Sequence, residues 1–130
     1  MRNIKVGNFI KTNNGHIGEL IRIERDDIDT SLKWYVFNDG KNERYVNKPY
    51  ITNYSKNIID LIEVGDVIEY QVNSLSELKV GRVKKYRDAR NSKEYLGVEG
   101  FDITKIYIKS ILTHEQYEQN CYKVSNDRTQ

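Results

Sequence analysis

Few residues in this chain can do bond-making chemistry, and they lie apart. Cys121 is the only thiol, and His16 and His114 are the only imidazoles. A thiol nucleophile needs a base within hydrogen-bond reach and a third group to orient that base. His114 precedes Cys121 by about two helical turns, but no orienting group stands in order with them, so the pair reads as a surface histidine and a small buried cysteine. Two histidines and one cysteine at wide spacing make no zinc pattern. Asp26-Asp27-Ile28-Asp29 resembles part of a calcium loop but lacks its glycine and its bidentate glutamate, and reads as a solvated loop. Asp60, Glu63 and Asp66 cluster near the middle of the chain, where they read as turn residues and caps. No glycine-rich loop leads into Lys-Ser or Lys-Thr. With no acid/base set, no metal set and no cofactor cradle, the expectation is a protein that is not an enzyme and carries no cofactor.

Charge and aromatic character concentrate in one place. Lys79, Arg82, Lys84, Lys85, Arg87, Arg90 and Lys93 follow one another with only Asp88 among them, and Tyr86 and Tyr95 are interleaved or adjacent. A basic hairpin bearing aromatic rings suits phosphates or an acidic protein surface. These nine residues are the candidate partner-binding site. Strand alternation sets Arg82, Lys84 and Tyr86 on one face and Val83, Lys85 and Arg87 on the other, with Val83 as the core residue. The net charge of +2 is nearly balanced, which argues against bulk coating of nucleic acid and leaves a local patch open. Ten tyrosines stand against three phenylalanines and one tryptophan. Tyrosine suits half-buried strands, and it is also enriched on partner-binding faces.

The elements that must position these residues are strands. Val6–Ile10 predicts a first strand, Asn14-Gly15 a tight turn, Ile17–Ile23 a second strand with Gly18 at a bulge or bend, and Leu32–Asn38 a third, with Trp34 and Val36 opposite Tyr35 and Phe37. Asp39-Gly40 turns into a short strand Arg44–Val46, which Pro49 ends. Ser55 is placed to cap a helical turn over Lys56–Leu61, and Ile58, Ile59, Leu61 and Ile62 read as an apolar plug. The second half reads as strands at Val64–Asn73, Leu78–Tyr86, Glu94–Val98 and Ile103–Ile111. Thr113 with Gln116 forms a capping box, and Leu112 with Tyr117 a hydrophobic staple, for a helix over about His114–Asn120. Cys121–Val124 predicts a closing edge strand, and Ser125–Gln130 a frayed polar end.

The two halves open alike. Ile4-Lys5-Val6-Gly7-Asn8-Phe9-Ile10 and Ile62-Glu63-Val64-Gly65-Asp66-Val67-Ile68 share one pattern of apolar, charged, Val, Gly, Asn or Asp, apolar, Ile. Further on, Ile17-Gly18 aligns with Val80-Gly81, Tyr35 with Tyr95, Asp39-Gly40 with Glu99-Gly100 and Ile51 with Ile111. The expected fold is mainly β: two tandem SH3-like small β-barrel modules, residues 1–60 and 61–130, each ending in a short helix. A module of about 60 residues buries too little surface to be stable alone, so the two are expected to share an interface and fold together.

Two resemblances add to this reading. Val6–Ile10, Gly15 and Ile17–Ile21 resemble the opening of SH3-like barrels of the KOW type, which serve ribosomal, transcriptional and chromatin proteins as binding modules. Val6–Thr12, Ser55–Asp66 and Ile108–Tyr117 together resemble small accessory proteins of phages and prophages of Gram-positive bacteria, while Tyr70–Phe101 departs from that pattern by being longer and more basic. The second resemblance implies a non-enzymatic phage binding protein. It would inhibit a bacterial host factor, with a CRISPR nuclease among the partners implied, by occupying a protein surface. The alternative is a nucleic-acid-binding module that uses the hairpin over residues 79–93. Met1–Gly7 has no apolar signal core, no stretch approaches the roughly 20 apolar residues of a membrane span, and a single cysteine fits a reducing compartment. The expected location is therefore the cytoplasm of the bacterial host.

Overall fold

The computed structural model describes residues 4–121. The chain is mainly β, with eleven strands among the described residues: β1 (Phe9–Thr12), β2 (Ile17–Arg25), β3 (Lys33–Asn38), β4 (Glu43–Val46), β5 (Ile51–Ser55), β6 (Val67–Gln71), β7 (Lys79–Arg82), β8 (Lys84–Arg87), β9 (Glu94–Val98), β10 (Phe101–Asp102) and β11 (Tyr107–Leu112). One α-helix, α1 (His114–Asn120), and three short 3-10 turns complete it. The strands form three antiparallel sheets, ordered β4-β3-β2-β1-β5, β10-β9-β8 and β11-β6-β7. None closes into a barrel among the described residues.

The repeat read from the sequence is present in the backbone hydrogen bonds. Gly7 and Gly65 have φ values of 96° and 98°, a conformation that a side chain resists. In the first half Gly7 N–H donates to the Leu20 carbonyl and Leu20 N–H to the Asn8 carbonyl. In the second, Gly65 N–H donates to the Val83 carbonyl and Val83 N–H to the Asp66 carbonyl. The Asn8 side chain accepts from Lys5 N–H, and the Asp66 side chain accepts from Glu63 N–H. A carboxylate or amide at this place closes its own turn, which is why Asn and Asp interchange there.

Strand register carries the correspondence further and corrects part of it. Phe9, Ile10 and Lys11 face Glu19, Gly18 and Ile17, and Val67, Ile68 and Glu69 face Arg82, Gly81 and Val80. The β1–β5 and β6–β11 ladders each skip one residue, Thr52 and Lys109. That skip sets Ile51 against Ile108 and Tyr54 against Ile111, so the expected match of Ile51 with Ile111 is displaced. The last strand of each half follows a 3-10 turn, Lys48–Tyr50 or Ile103–Lys105. The expected elements leave residues 51–54 unassigned and run Ile103–Ile111 as one strand, whereas the first stretch lies in β5 and the second begins with the 3-10 turn. Pro49 stands in the first turn of the 3-10 segment Lys48–Tyr50, past the end of β4 at Val46.

Each half has its own apolar cluster. Ile10, Leu20, Tyr35 and Phe37 centre the first, and Ile68, Tyr70, Val83 and Val98 the second. Tyr35 is buried beside Phe37, with Val36 buried as well, so β3 is covered on both faces rather than alternating. The turn Ile58–Leu61 lies at the junction. Leu61 is fully buried, Ile62 belongs to the second cluster and Ile59 packs against it half-buried. The N-cap of this turn is Asn57, with no side-chain bond. Ser55 instead ends β5, donating to Asp60 and accepting from Asn57 N–H.

Helix α1 spans the expected residues. Thr113 Oγ1 accepts from Gln116 N–H at 3.3 Å, and it also donates to the buried Gly15 carbonyl at 2.6 Å. Gln116 does not turn back to complete the capping box: its amide donates to the Asn14 carbonyl, as does that of Gln119. The helix start therefore staples the second half onto the β1–β2 turn of the first. Of the closing strand expected at Cys121–Val124 only Cys121 is described, and it stands outside any strand. Residues 122–124 and the polar end Ser125–Gln130 lie outside the described residues.

Candidate binding surface

The basic stripe does not lie on one strand. Val83 is fully buried, as expected, but the ladder breaks there. Lys79–Arg82 pairs with β6 and Lys84–Arg87 pairs with β9, so the stripe passes from one sheet to another. One close approach lies at this crossing and a second in the adjoining β9–β10 hairpin. A Cβ on Gly81 would stand 2.2 Å from Val98 Cγ2, and one on Gly97 would stand 2.7 Å from the Phe101 carbonyl oxygen. Glycine is required at both places because a second backbone or side chain already fills the space.

The β8–β9 hairpin pairs Tyr86 with Tyr95 and Lys84 with Gly97. The tyrosine rings stack at 5.6 Å between centroids, 21° from parallel. Gly97 lies beneath them, its Cβ position only 3.0 Å from the Tyr86 ring and 3.1 Å from the Tyr95 ring. The Tyr95 hydroxyl donates to the Gly100 carbonyl. Both rings are half-buried, and a stacked pair packed over Gly97 presents apolar area at low entropic cost.

The seven cations divide into two groups. Arg87 and Lys85 share Glu94, at 3.2 Å and 3.7 Å, and Arg90 pairs with Asp88 at 3.3 Å. Arg82 lies 4.8 Å above the Tyr117 ring and donates to the Gly65 carbonyl. Arg82, expected on one strand face with Lys84 and Tyr86, instead belongs to the β6–β7 ladder; it is exposed, with its guanidinium against the Tyr117 ring of α1. Lys79, Lys84 and Lys93 are exposed and form no ion pair among the described residues. Of these, Lys84 and Lys93 stand two residues from Tyr86 and Tyr95, while Lys79 lies on β7 in the β11-β6-β7 sheet.

A second constellation escaped sequence reading. The Lys11 side chain is 1% exposed, with Nζ 2.9 Å from Glu63 Oε1 and 3.0 Å from Glu115 Oε1. His114 Nε2 lies 2.9 Å from the same Glu63 oxygen and 3.3 Å from the same Glu115 oxygen. The Glu115 oxygen is buried with no directed hydrogen bond, so its contact with the ammonium is ionic. Burial works against the Lys11 ammonium, but the two carboxylates outweigh it and its pKa ends above the ordinary lysine value. The His114 hydrogen bond, then Lys11, holds the Glu63 carboxyl below the usual range. Asp66 is fully buried and accepts from Glu63 N–H and His114 N–H, yet desolvation still raises its pKa. Glu63, His114 and Glu115 bring ligating atoms within 4.8 Å of one another. The ammonium of Lys11 already supplies the positive charge that these carboxylates call for. A lysine in a short strand of a polar chain carries no mark of burial, so only the fold reveals this group.

The remaining candidates settle into structural roles. Asp26 accepts from Trp34 Nε1 and from Ile28 and Asp29 N–H, and Asp29 accepts from Ser31. The triple-aspartate loop therefore spends these oxygens on its own turn. Burial, then Arg44, lowers the His16 pKa, which favours the neutral ring. His16 lines a groove of about 530 Å³ on the first half, with Trp34, Tyr45 and Tyr50 among its walls. Trp34 and Tyr45 meet edge to face at 6.5 Å. Among the described residues no helix is long and apolar enough to cross a membrane. Comparison of the chain with protein-family models, with curated proteins and with solved structures returns no match.

Proposed function

We propose that this chain is a non-enzymatic binding protein that recognises an acidic protein surface through the β8–β9 face. The observation that carries the reading is the stacked Tyr86–Tyr95 pair flanked in sequence by Lys84 and Lys93, which are exposed and form no ion pair among the described residues. Rigid aromatic area with a cationic rim is the make-up of an interface hot spot. Four of the seven cations of the stripe are already engaged within the chain, which leaves too little free charge to track a phosphate backbone. The shared strand order supports reading each half as an open SH3-like small barrel. The second half follows the order of the first once β7 and β8 are joined through Val83. On this reading residues 1–60 and 61–130 are two modules welded by Lys11 and Thr113. The resemblance to phage accessory proteins makes a bacterial host protein in the cytoplasm the partner to seek, a CRISPR nuclease first among them, inhibited by occupation of its surface.

A nucleic-acid reading is favoured by one feature, since stacked tyrosines beside lysines also accept unpaired bases. Affinity capture from nuclease-treated bacterial lysate, followed by mass spectrometry, tests both. A protein should be retained by wild type and lost by a Lys84→Glu/Tyr86→Ala variant of unchanged melting temperature. Retention by that variant, or capture that vanishes with nuclease alone, would overturn the protein-surface reading.

A further inference from the structure

The register that equates the two halves also shows one sheet face covered in the first and bare in the second. Phe9, Lys11, Ile17 and Glu19 occupy the places of Val67, Glu69, Val80 and Arg82. In the first half Lys11 is sealed beneath Glu63 and Glu115, and Phe9 and Ile17 look across a cleft to Ile108 and Ile111. In the second half α1 reaches the corresponding face only at its Arg82 corner, where the Tyr117 ring lies against the guanidinium, and Ser110 donates to Glu69. Val80 is 62% exposed, Leu112, paired beside Val67, is 42% exposed, and Leu78 continues the face at 52%.

The charges on the two faces are inverted, with Glu69 in the place of Lys11 and Arg82 in that of Glu19. A repeat of the internal contact would bring Glu63 and Glu115 of another copy against Glu69, like charge on like. The head-to-tail arrangement is therefore disfavoured. The bare face instead complements itself. Val67 pairs with Arg82 and Glu69 pairs with Val80, so these four residues form a small rectangle with the valines on one diagonal and the charges on the other. A two-fold axis lying in the interface along the valine diagonal returns each valine to its own counterpart. The same axis exchanges Glu69 with Arg82. With strands about 4.8 Å apart and same-face residues about 6.8 Å apart, the strands of the two copies would cross at roughly 70°, near the orthogonal class of sheet packing.

We propose that the outer face of the β11-β6-β7 sheet is a homodimer interface with two-fold symmetry. Val67 and Val80 meet their counterparts there, and Glu69 of each copy, which also accepts from Ser110, pairs with the exposed Arg82 of the other, whose contacts within its own chain are the Tyr117 ring and the Gly65 carbonyl rather than a carboxylate. Closed two-fold contacts are the commonest form of self-association. The patch is smaller than a standard interface, so dissociation is expected on the order of 10⁻⁵ M. This inference stands independently of the tyrosine face and of any partner bound there.

Sedimentation velocity on the full chain, from low to several hundred micromolar, tests it. Wild type should move from monomer to dimer across that range. Glu69→Lys should remain monomeric, because it sets two cations against each other, and the charge swap Glu69→Lys/Arg82→Glu should restore the dimer. Circular dichroism of each variant separates loss of pairing from loss of fold. A wild-type monomer at every concentration would overturn the proposal. So would a Glu69→Lys protein that dimerises like wild type, or a folded charge swap that stays monomeric.

Discussion

Thr113 shows how one side chain can serve two ends. Its hydroxyl caps α1 and satisfies the buried Gly15 carbonyl. Thr113→Val keeps the shape and removes both bonds. It should cost about 2–3 kcal/mol in urea unfolding, from a lost cap and a buried carbonyl left unpaired. Thr113→Ser keeps the hydroxyl and should cost about 1 kcal/mol or less, the worth of one methyl. Equal midpoints for the two variants would remove the Gly15 bond from the account. Asp39 gives a pH-dependent case. Backbone N–H of Asn42, then the Arg44 guanidinium, hold its carboxyl down to about 2. A folded pKa below the unfolded value contributes stability above about pH 4 that is lost as pH falls through the folded pKa. Asp39→Asn should therefore flatten the stability profile between about pH 4 and pH 2, and an unchanged slope in acid urea titrations would contradict this. At this scale the sequence announced the cap but not the double bond, because Gly15 lies far from Thr113 along the chain and meets it only through the fold.

At the scale of elements, glycine spacing carried most of the legible information. The Val-Gly-Asn and Val-Gly-Asp openings foretold a repeated turn, and both turns form with the same bonds. The match of Tyr35 with Tyr95 was less secure, because β2 slips register between Leu20 and Arg22 while its counterpart breaks at Val83 into β7 and β8. Residue counting cannot register a bulge that shifts one strand against the next. Gly18 and Gly100 separate two reasons for glycine. A Cβ at Gly18 would stand 2.0 Å from the Asn38 carbonyl oxygen, whereas Gly100 has open space around it but a φ of 88°. Gly18→Ala should cost more than about 3 kcal/mol because backbone cannot move aside. Gly100→Ala should cost about 1–2 kcal/mol of local strain. Chemical unfolding of the two variants checks the order, and a milder Gly18→Ala would mean that the β2–β3 hairpin yields.

For the whole molecule, the junction decides whether two small clusters act as one. Leu61 and Ile62 are buried there, Lys11 reaches across to Glu63 and Glu115, and Thr113 and Gln116 bond to the opposite half. The plug was legible as an apolar run in a polar chain, although burial falls on Leu61 and Ile62 more than on Ile58 and Ile59. Unfolding should show one transition, the same by tryptophan fluorescence from the first half and by circular dichroism. Leu61→Asp should lower stability by several kcal/mol, because it buries an unpaired charge. Two separated transitions in the wild-type protein would break the claim of a shared fold. The functional reading rests on Tyr86 and Tyr95, with Lys84 and Lys93 beside them in sequence and Lys79 on β7. The sequence marked this stretch as basic without showing that Lys85, Arg87 and Arg90 are paired. The most direct test is a salt titration of affinity for the captured partner, on wild type and on the Lys79→Glu/Lys84→Glu/Lys93→Glu variant. A shallow salt response in wild type, with binding lost in the folded triple variant, is the predicted result. A steep log–log slope of roughly −0.9 per neutralised phosphate would point to duplex nucleic acid instead, and undiminished binding by the triple variant would contradict the assignment of this face.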